Sequence, residues 1–229
     1  MSQKIPLHVC IIPDGNRRWA RENGLVESMG HIKSTNYENV KSLIAKAKDL
    51  GVEYLTLWGF STENWNRGEK EKEILFEIIG NLTNELRRDA KENRVRFRHI
   101  GRKDRLPKEL VEKLKKLEEE TSGFDEFNVQ LCLDYGGRDE ILRVVNKLLE
   151  SGKKEINEND FVNNLDTSGI PEPDLIIRTS GEKRLSGFMP FQGVYAELYF
   201  PDVHFPDFND KELEKAVEEF GKRKRRFGK

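Results

Sequence analysis

Short apolar runs alternate along this chain with segments of helical periodicity, and this alternation restricts the fold more than any other feature. The apolar runs cover residues 8–13, 54–60, 95–100, 128–135, 174–179 and 196–200. Strands that are apolar almost throughout are typical of a parallel sheet with helices on both faces. The sequence therefore predicts an α/β fold: a single domain over residues 1–229, with a central, mostly parallel sheet of about six strands flanked by helices.

Helices are predicted over residues 34–50, 70–92, 108–121, 139–150 and 210–223. In the first of them Val40, Leu43 and Ala47 recur at helical spacing, and Gly51 follows at the expected C-terminal position. Ligands of open α/β sheets bind at the carboxyl ends of the strands. The polar residues that directly follow the predicted strands are therefore the candidates for a functional site.

Composition excludes some classes of function. The chain has 40 Lys and Arg residues against 41 Asp and Glu residues, a formal net charge of −1, so no general attraction to nucleic acid is expected. No apolar stretch reaches the roughly 18 residues that a membrane span needs. We therefore expect a cytoplasmic protein that is at most peripheral to a membrane. Cys10 and Cys132 lie in predicted strands and are expected to be buried, reduced thiols.

The loop after the first predicted strand reads Pro-Asp-Gly-Asn-Arg-Arg-Trp-Ala over residues 13–20. Gly15 lets backbone N–H groups approach phosphate oxygens, and Arg18 can bind such oxygens in a bidentate manner. Asp14 can hold Mg2+ together with phosphate oxygens. A surface turn capped by Asp14 is the alternative interpretation.

Two further loops have a similar composition. Residues 60–67, Phe-Ser-Thr-Glu-Asn-Trp-Asn-Arg, follow the second strand, and residues 178–186, with Arg178, Arg184 and Ser186, follow the fifth. The alternative for residues 60–67 is a helix cap, and the alternative for residues 178–186 is a solvated loop. Together the three strand ends bring several arginines to one edge of a nearly neutral protein. This predicts a ligand with more than one phosphate, bound together with Mg2+.

These motifs resemble those of the undecaprenyl diphosphate synthase family, the cis-prenyltransferases. The matching segments are Asp-Gly-Asn-x-Arg-Trp-Ala from Asp14, Gly30-His31, Phe-Ser-x-Glu-Asn-Trp-x-Arg from Phe60, Tyr-Gly-Gly-Arg from Tyr135, Ile-Arg-Thr-x-Gly-Glu-x-Arg-x-Ser-x-Phe from Ile177, Tyr195-x-Glu197 and Arg226-Phe227-Gly228. They cover nearly the whole chain, in the order that the family has them.

The resemblance implies a fold with a long apolar tunnel, a homodimer, and a Mg2+-dependent reaction. In that reaction isopentenyl diphosphate is added repeatedly, in cis configuration, to an allylic primer, farnesyl or geranylgeranyl diphosphate. The product is a Z-polyprenyl diphosphate, the precursor of a lipid carrier of sugars. The basic run at residues 222–226 leads into a segment that in the family reaches a neighbouring subunit's site, and contact with anionic lipid is the alternative.

The resemblance also implies roles for individual residues. Asp14 is expected to bind Mg2+ and to assist departure of the allylic diphosphate, and Glu197 to be a second Mg2+-linked acid. Asn64 is the family's candidate for proton removal. The residues expected to bind substrates are Gly15, Asn16, Arg18 and His31 for the allylic diphosphate, Arg178, Arg184 and Ser186 for isopentenyl diphosphate, and Arg17, Trp19, Ser61, Thr62, Glu63, Trp65, Arg67 and Leu185 for the remaining contacts.

Three features depart from the family pattern. Glu27 stands where many members have Arg; its carboxylate would repel a diphosphate, unless it points to water or pairs with Arg21 or Lys33. Residues 189–192 read Met-Pro-Phe-Gln, a variant that resembles archaeal members, and Phe205 replaces a Trp. Two other functions stay open. One is a non-catalytic subunit of a heteromeric prenyltransferase, and the other is a phosphate-binding module, although neither a P-loop nor a G-x-G-x-x-G fingerprint is present.

Overall fold

The computed structural model describes residues 4–223 and contains, within that range, one six-stranded sheet. The strands are β1 (His8–Ile12), β2 (Tyr54–Ser61), β3 (Val95–Ile100), β4 (Phe127–Tyr135), β5 (Leu175–Arg178) and β6 (Glu197–Tyr199). Their order is β3-β4-β2-β1-β5-β6, and every neighbouring pair is parallel. The predicted fold class is confirmed, and the sheet of the described residues is parallel throughout.

Helices cover both faces of this sheet. The α-helices of the described residues are α1 (Asn16–Glu22), α2 (Glu27–Ser34), α3 (Tyr37–Asp49), α4 (Glu69–Asn93), α5 (Lys108–Thr121), α6 (Gly137–Glu150), α7 (Glu158–Val162) and α8 (Asp210–Lys222), and 3-10 turns lie at Thr62–Asn66 and Phe205–Asp207. Within residues 4–223, none of these helices is long and apolar enough to cross a membrane.

Alternate residues of β1 belong to two different cores. Val9 and Ile11 join the larger apolar core, which also contains side chains of α3, α4, α5 and α8. Cys10 packs on the other face of the sheet, in a core shared with Cys132 and Phe188. Both cysteines are free and fully buried, and burial raises the pKa of each thiol. The expectation of buried, reduced thiols is confirmed.

The N-terminal helices differ most from the prediction. The helix predicted over residues 34–50 begins only at Tyr37, and Ser34 is instead the last residue of α2. The break occurs because the Asn36 side chain caps α3 by accepting a hydrogen bond from the Glu38 N–H at 2.9 Å. The sequence pattern does not predict α1, α2 or α7, since short polar helices carry little apolar periodicity. Ala20, for example, is the one buried residue of α1.

The strand order reverses around β1, whose neighbours are β2 on one side and β5 on the other. Ligands of open α/β sheets bind at such a switch point, beyond the carboxyl ends of the strands. Ile12 of β1 pairs with Arg178 of β5. The loop that begins with Pro13 and Asp14 therefore lies directly against the loop that follows β5.

Candidate active site

A cleft of about 320 Å³ lies at the carboxyl ends of β1, β2 and β5, and we call it the main cleft. Part of its inner wall is apolar, with side chains of Ile12, Leu75, Ile79 and Phe205. The predicted site residues that line it are Asp14, Asn16, His31, Ser61, Glu63, Asn64, Arg67, Arg178 and Ser186. The fold thus brings a carboxylate, amides and guanidinium groups to one cavity that also has apolar walls.

Asp14 and Arg178 are the most tightly connected pair of the main cleft. Oδ2 of Asp14 accepts hydrogen bonds from Nη2 (2.8 Å) and Nε (3.2 Å) of Arg178, which is buried. Burial alone would raise the pKa of Asp14, but the hydrogen bonds and charge of Arg178 outweigh burial and lower this pKa. The same guanidinium donates to the Arg184 backbone oxygen (2.6 Å) and to the Ser186 hydroxyl (2.7 Å). The loop after β5 therefore holds Asp14 in its charged form.

A second, more open cavity of about 420 Å³ shares several lining residues with the main cleft, among them Asp14 and His31. We call it the basic cleft, because arginines dominate its lining: Arg17, Arg18, Arg21, Arg67 and Arg184. Gly15 also lines it. Sequence reasoning did not single out Arg21 as a site residue, although its position one helical turn after Arg17 on α1 could have suggested it.

Glu182 and Glu71 are among the carboxylates that pair with arginines of the basic cleft. Glu182 bridges Arg18, at 2.8 Å from Nη1, and Arg184, so it connects α1 with the loop after β5. Glu71 of α4 accepts a hydrogen bond from Nη1 of Arg67 at 3.2 Å. Neither acid was predicted as a site residue. Glu182 lies inside a recognised motif and could have been found, whereas the contact of Glu71 with the site depends on how α4 packs.

Glu27, one of the departures from the family pattern, pairs with Arg17, and its Oε1 atom lies 3.9 Å from Nε of Arg21. The hydrogen bond from Arg17 lowers the pKa of Glu27, so the carboxylate is charged at neutral pH. The side chains of Glu27 and Arg17 stay 40% and 49% exposed, so solvent screens the pair. The carboxylate is nevertheless placed to compete with an incoming anion for Arg17.

Asn16 and His31 direct unused hydrogen-bonding atoms into this region. Nδ2 of Asn16 lies 3.5 Å from Nδ1 of His31, while Oδ1 of Asn16 and Nε2 of His31 are buried without a hydrogen-bond partner. Burial, together with Arg67 and Arg17, lowers the pKa of His31 to about 4. A neutral ring that accepts at Nδ1 carries its proton on Nε2. This buried N–H group has no hydrogen-bond partner within the described residues, and Oε1 of Glu71 lies 3.7 Å from its nitrogen.

The 3-10 turn after β2 places Asn64 beside Ser61. Oδ1 of Asn64 accepts a hydrogen bond from the Ser61 N–H at 3.1 Å, so the acceptor atom of this amide is already engaged. Trp65 of the same turn donates from Nε1 to the buried carboxylate of Asp134 (2.8 Å), which also accepts from Nε of Arg105 (2.8 Å). The turn is thus anchored to the end of β4.

Five of the predicted site residues line neither cleft: Trp19, Thr62, Trp65, Leu185 and Glu197. The indole of Trp19 donates to Asp207 at 2.7 Å. Leu185 packs against the core on the other face of the sheet. Trp19 and Leu185 therefore contact other parts of the fold and line neither cleft.

Glu197 lies at the opposite end of β5 from Asp14. Glu197 of β6 pairs with Leu175 of β5. Leu175 precedes Arg178 by three residues, which is about 10 Å along the strand. Arg223 donates to the carboxylate of Glu197 at 2.9 Å. The chain therefore does not bring the two acids predicted to bind metal to one place, and the predicted segment at residues 226–228 lies outside the described residues.

The oxygen donors of the main cleft fit a hard cation that is shared with a ligand. In the described part of the chain, no group of three or more His, Cys, Asp or Glu side chains could hold a metal ion. Mg2+, however, is usually bound by one or two carboxylates together with phosphate oxygens and water. The carboxylate of Asp14 and the unpaired Oδ1 atom of Asn16 are donors of that kind.

A parallel sheet with arginines, carboxylates and an apolar wall at its switch point is suited to a diphosphate with an apolar tail. The family model described as "Putative undecaprenyl diphosphate synthase" matches residues 12–228. An "Isoprenyl transferase" from Aquifex pyrophilus is 46% identical over 228 residues, which cover 100% of this chain and 98% of that protein. Another from Fusobacterium nucleatum is 42% identical with the same coverage. The chain belongs to the undecaprenyl diphosphate synthase family and is a cis-prenyltransferase, as its motifs predict.

Solved structures agree with this assignment. Lavandulyl diphosphate synthase from Lavandula x intermedia, in complex with dimethylallyl diphosphate, matches with a TM-score of 0.94 at 33% identity, covering 98% of this chain and 99% of that chain. A probable undecaprenyl diphosphate synthase from Campylobacter jejuni matches with a TM-score of 0.81 at 33% identity, covering 100% of both chains. The two relatives by sequence are bacterial, so the resemblance of residues 189–192 to archaeal members gains no support.

Proposed function

We propose that this chain condenses isopentenyl diphosphate repeatedly with an allylic primer, farnesyl or geranylgeranyl diphosphate, to give a Z-polyprenyl diphosphate, the precursor of a lipid carrier of sugars. The observation that carries the proposal is the Asp14–Arg178 pair, because Asp14 lines both clefts. It stands between arginines that can bind diphosphates and an apolar wall that can receive a prenyl chain. We treat residues 1–229 as one catalytic domain, in keeping with the family match.

In this proposal the allylic diphosphate occupies the part of the basic cleft that α1 forms, with Arg17, Arg18 and Arg21, and its prenyl chain enters the main cleft. Arg18 would exchange Glu182 for a phosphate oxygen, and the free N–H group of His31 would donate to another. Ionisation of the allylic C–O bond leaves negative charge on the diphosphate, and preorganised cations lower the barrier by stabilising that charge. Mg2+, held by Asp14 and the diphosphate, would supply Lewis-acid stabilisation of the same charge.

Isopentenyl diphosphate is assigned to the loop after β5. Arg178 contacts the Ser186 hydroxyl and the Arg184 backbone oxygen, so these three residues form one connected unit beside Asp14. Two diphosphates held at adjacent loops of one sheet edge would place their reacting carbons close together. Such orientation removes much of the entropic part of the barrier.

Asn64 is assigned a positioning role in the loss of the proton that ends each condensation. Its Oδ1 atom is hydrogen bonded to the Ser61 N–H, and a neutral amide is a weak base. The departing diphosphate is an anion held in the same site and is the better proton acceptor. The amide N–H groups of Asn64 can orient that diphosphate.

The growing chain needs apolar space, and one face of α4 offers it. Ile79 lines the main cleft, whereas Leu86 and Ala90 of the same helix line a further cavity of about 300 Å³ between α3 and α4. Ile79 and Leu86 are seven residues apart, about 10 Å along the helix axis. In the proposal the product extends along this face of α4, in the tunnel that the family resemblance implies.

A second copy of the chain is the proposed partner protein. Leu142 and Leu149 lie two turns apart on α6 and are exposed. Val194, Tyr195 and Leu198, at the edge strand β6 and just before it, are exposed too. Exposed apolar side chains of this kind, if contiguous, mark surfaces that bind protein. Analytical ultracentrifugation would detect a homodimer whose interface buries these side chains, and Leu149→Lys should weaken that dimer.

Peripheral contact with a membrane, at its cytoplasmic surface, is proposed for α2. Val26, Met29 and Ile32 recur every three residues and are exposed. His31 of the same helix lines both clefts, so this apolar stripe lies beside the site where a lipidic product would form. Pelleting with phospholipid vesicles would test the contact, and Val26→Ser should weaken it.

The purified chain alone, with Mg2+, labelled isopentenyl diphosphate and either primer, tests the proposed function. Mass spectrometry of the products gives chain length and primer preference. Formation of a Z-polyprenyl diphosphate would support the proposal and exclude a non-catalytic subunit. No incorporation with either primer would overturn it. Chelation with EDTA should abolish incorporation if Mg2+ is the cofactor.

A further inference from the structure

His204 belongs to none of the motifs that carry the proposed reaction, but it contacts the floor of the site. Its Nδ1 atom lies 2.7 Å from the Ser180 hydroxyl oxygen, and its Nε2 atom lies 3.1 Å from a carboxylate oxygen of Glu22. A carboxylate, an imidazole and a hydroxyl thus form one connected chain. It runs from the last residue of α1 to the loop after β5.

The order of these groups is that of a hydrolase triad, but Ser180 cannot reach a substrate. Gly15 covers its hydroxyl: a Cβ atom at this position, where φ is +91°, would overlap Oγ of Ser180 and Nδ1 of His204. Ser180 is itself only 9% exposed. The three groups therefore support the Asp14–Gly15 turn from beneath and do not attack a ligand.

The Ser180 hydroxyl has one proton and two available acceptors. It can donate to the Asp14 backbone oxygen (2.9 Å) or to Nδ1 of His204 (2.7 Å). The Asp14 oxygen also accepts from the Thr179 hydroxyl (2.8 Å) and the Phe205 N–H (3.0 Å). Since a carbonyl oxygen has two lone pairs, it stays satisfied whichever way Ser180 points. His204 therefore fixes the Ser180 hydroxyl beneath Gly15, while Thr179 and Phe205 hold the Asp14 oxygen independently of it.

We propose that His204 is a positioning residue for the reaction: through Ser180 it fixes the Asp14–Gly15 turn while the Asp14 carboxylate changes partners. That carboxylate must loosen its bonds to Arg178 when a cation and a diphosphate bind, so the backbone needs anchors that do not involve it. Ser180 has a φ of 73°, a left-handed conformation that is costly for a residue other than glycine. Its bond to His204 offsets part of that cost. This inference rests on the proposed function, because it assigns a role within that reaction.

Variants of His204 separate positioning from folding. His204→Leu removes both ring nitrogens and is expected to lower kcat about tenfold, with the KM values for both substrates within about twofold of wild type. His204→Asn keeps a hydrogen-bonding atom where Nδ1 lies and should recover most of kcat. His99→Gln is the matched control. His99 is buried, bonds through Nε2 to the Leu133 backbone oxygen (2.9 Å) and lines neither cleft, so kcat should stay at the wild-type value.

Ser180→Ala, alone and combined with His204→Leu, provides the second test. If the two residues act as one chain, the double variant loses no more kcat than either single variant. Thermal unfolding is measured in parallel, because a residue that only stabilises the fold would lower Tm and leave kcat unchanged. Unchanged kcat in folded His204→Leu, or additive losses, would overturn the proposal. An inactive wild type in the same assay would instead contradict the proposed function.

The imidazole 15N NMR spectrum gives a readout that does not depend on turnover. The chain has four histidines, so the His204 resonances can be assigned by their absence from His204→Asn. A non-hydrolysable allylic diphosphate analogue with Mg2+ should shift them in the wild type, and the shift should be lost in Ser180→Ala. Resonances that stay in place in the wild type would contradict the connection between His204 and the site.

Discussion

Asp14 and Arg178 are 164 residues apart in sequence, yet two hydrogen bonds join their side chains. They meet because Ile12 of β1 pairs with Arg178 of β5 at the switch point of the sheet. The buried guanidinium supports a carboxylate on another loop and, at the same time, the loop assigned to isopentenyl diphosphate. A change at either residue is therefore expected to lower turnover.

Asp14→Asn is expected to lower kcat at least about a hundredfold, because an amide neither holds Mg2+ well nor balances the charge of Arg178. The KM values should change little, since the arginines that bind the diphosphates remain. Asp125→Asn, in an exposed turn before β4, is the matched control. Near-normal turnover of Asp14→Asn with Mg2+ would show that the metal role is wrong.

Arg184→Ala is expected to raise the KM for isopentenyl diphosphate about tenfold, and that for the primer much less. The side chain is exposed and pairs with Glu182, so its loss leaves no buried charge behind. Arg178→Ala should also lower kcat, since Asp14 loses its partner. Steady-state kinetics with each substrate varied in turn measures the difference, with Lys183→Ala as control. Equal KM increases for both substrates in Arg184→Ala would refute the assignment of this loop.

Glu27→Arg is expected to tighten binding of an allylic diphosphate analogue about tenfold at low salt, because it replaces a competing carboxylate by a cation. Glu27→Gln, which only frees Arg17, should give a smaller gain. Both gains should shrink as salt rises, since the pair is exposed. Calorimetric titration at two salt concentrations measures them, with Glu38→Gln on α3 as control. Unchanged affinity at low salt would show that Glu27 has no electrostatic interaction with the bound diphosphate.

His8 should make the fold less stable in mild acid. Burial lowers its pKa from 6.5 to about 4, so below pH 6.5 the unfolded chain binds a proton that the folded chain does not. The stability is therefore full above pH 6.5 and falls as the pH drops toward 4, by about 3 kcal/mol at most. Urea unfolding of wild type and His8→Asn between pH 7.5 and 4.5 measures this. The wild type should lose more stability, and parallel curves would contradict the prediction.

The sequence predicted most of the fold because its six strands are short apolar runs, and strands of that kind can be recognised locally. It also predicted that residues after β1 and β5 would meet, because parallel strands share one carboxyl edge. The partner of Glu27 was harder to predict. Of the two predicted partners, Arg21 lies 3.9 Å from Glu27, but the turn at Gly24 folds α2 back along α1 and brings Arg17 closer still.

Contacts that depend on helix packing could not be predicted. Oε1 of Glu71 lies 3.7 Å from Nε2 of His31 because α4 packs against α2, and no motif marks this contact. Glu197 shows the opposite case: its motif is recognisable, but the register of β6 against β5 sets it at the far end of the strand from Asp14. Motif spacing indicates which residues belong to a family's site. The three-dimensional fold decides which of them one chain brings together.

When a diphosphate binds in the basic cleft, it replaces protein carboxylates as the partner of the arginines. Glu27, Glu71 and Glu182 already neutralise arginines, so a diphosphate displaces attached carboxylates and few dissolved anions. Because few dissolved ions are released, affinity should vary less steeply with ionic strength than free arginines would require. The exchange also runs in reverse. As each carboxylate returns to its arginine it displaces a phosphate oxygen, so the product can leave without exposing an unbalanced cluster of positive charge.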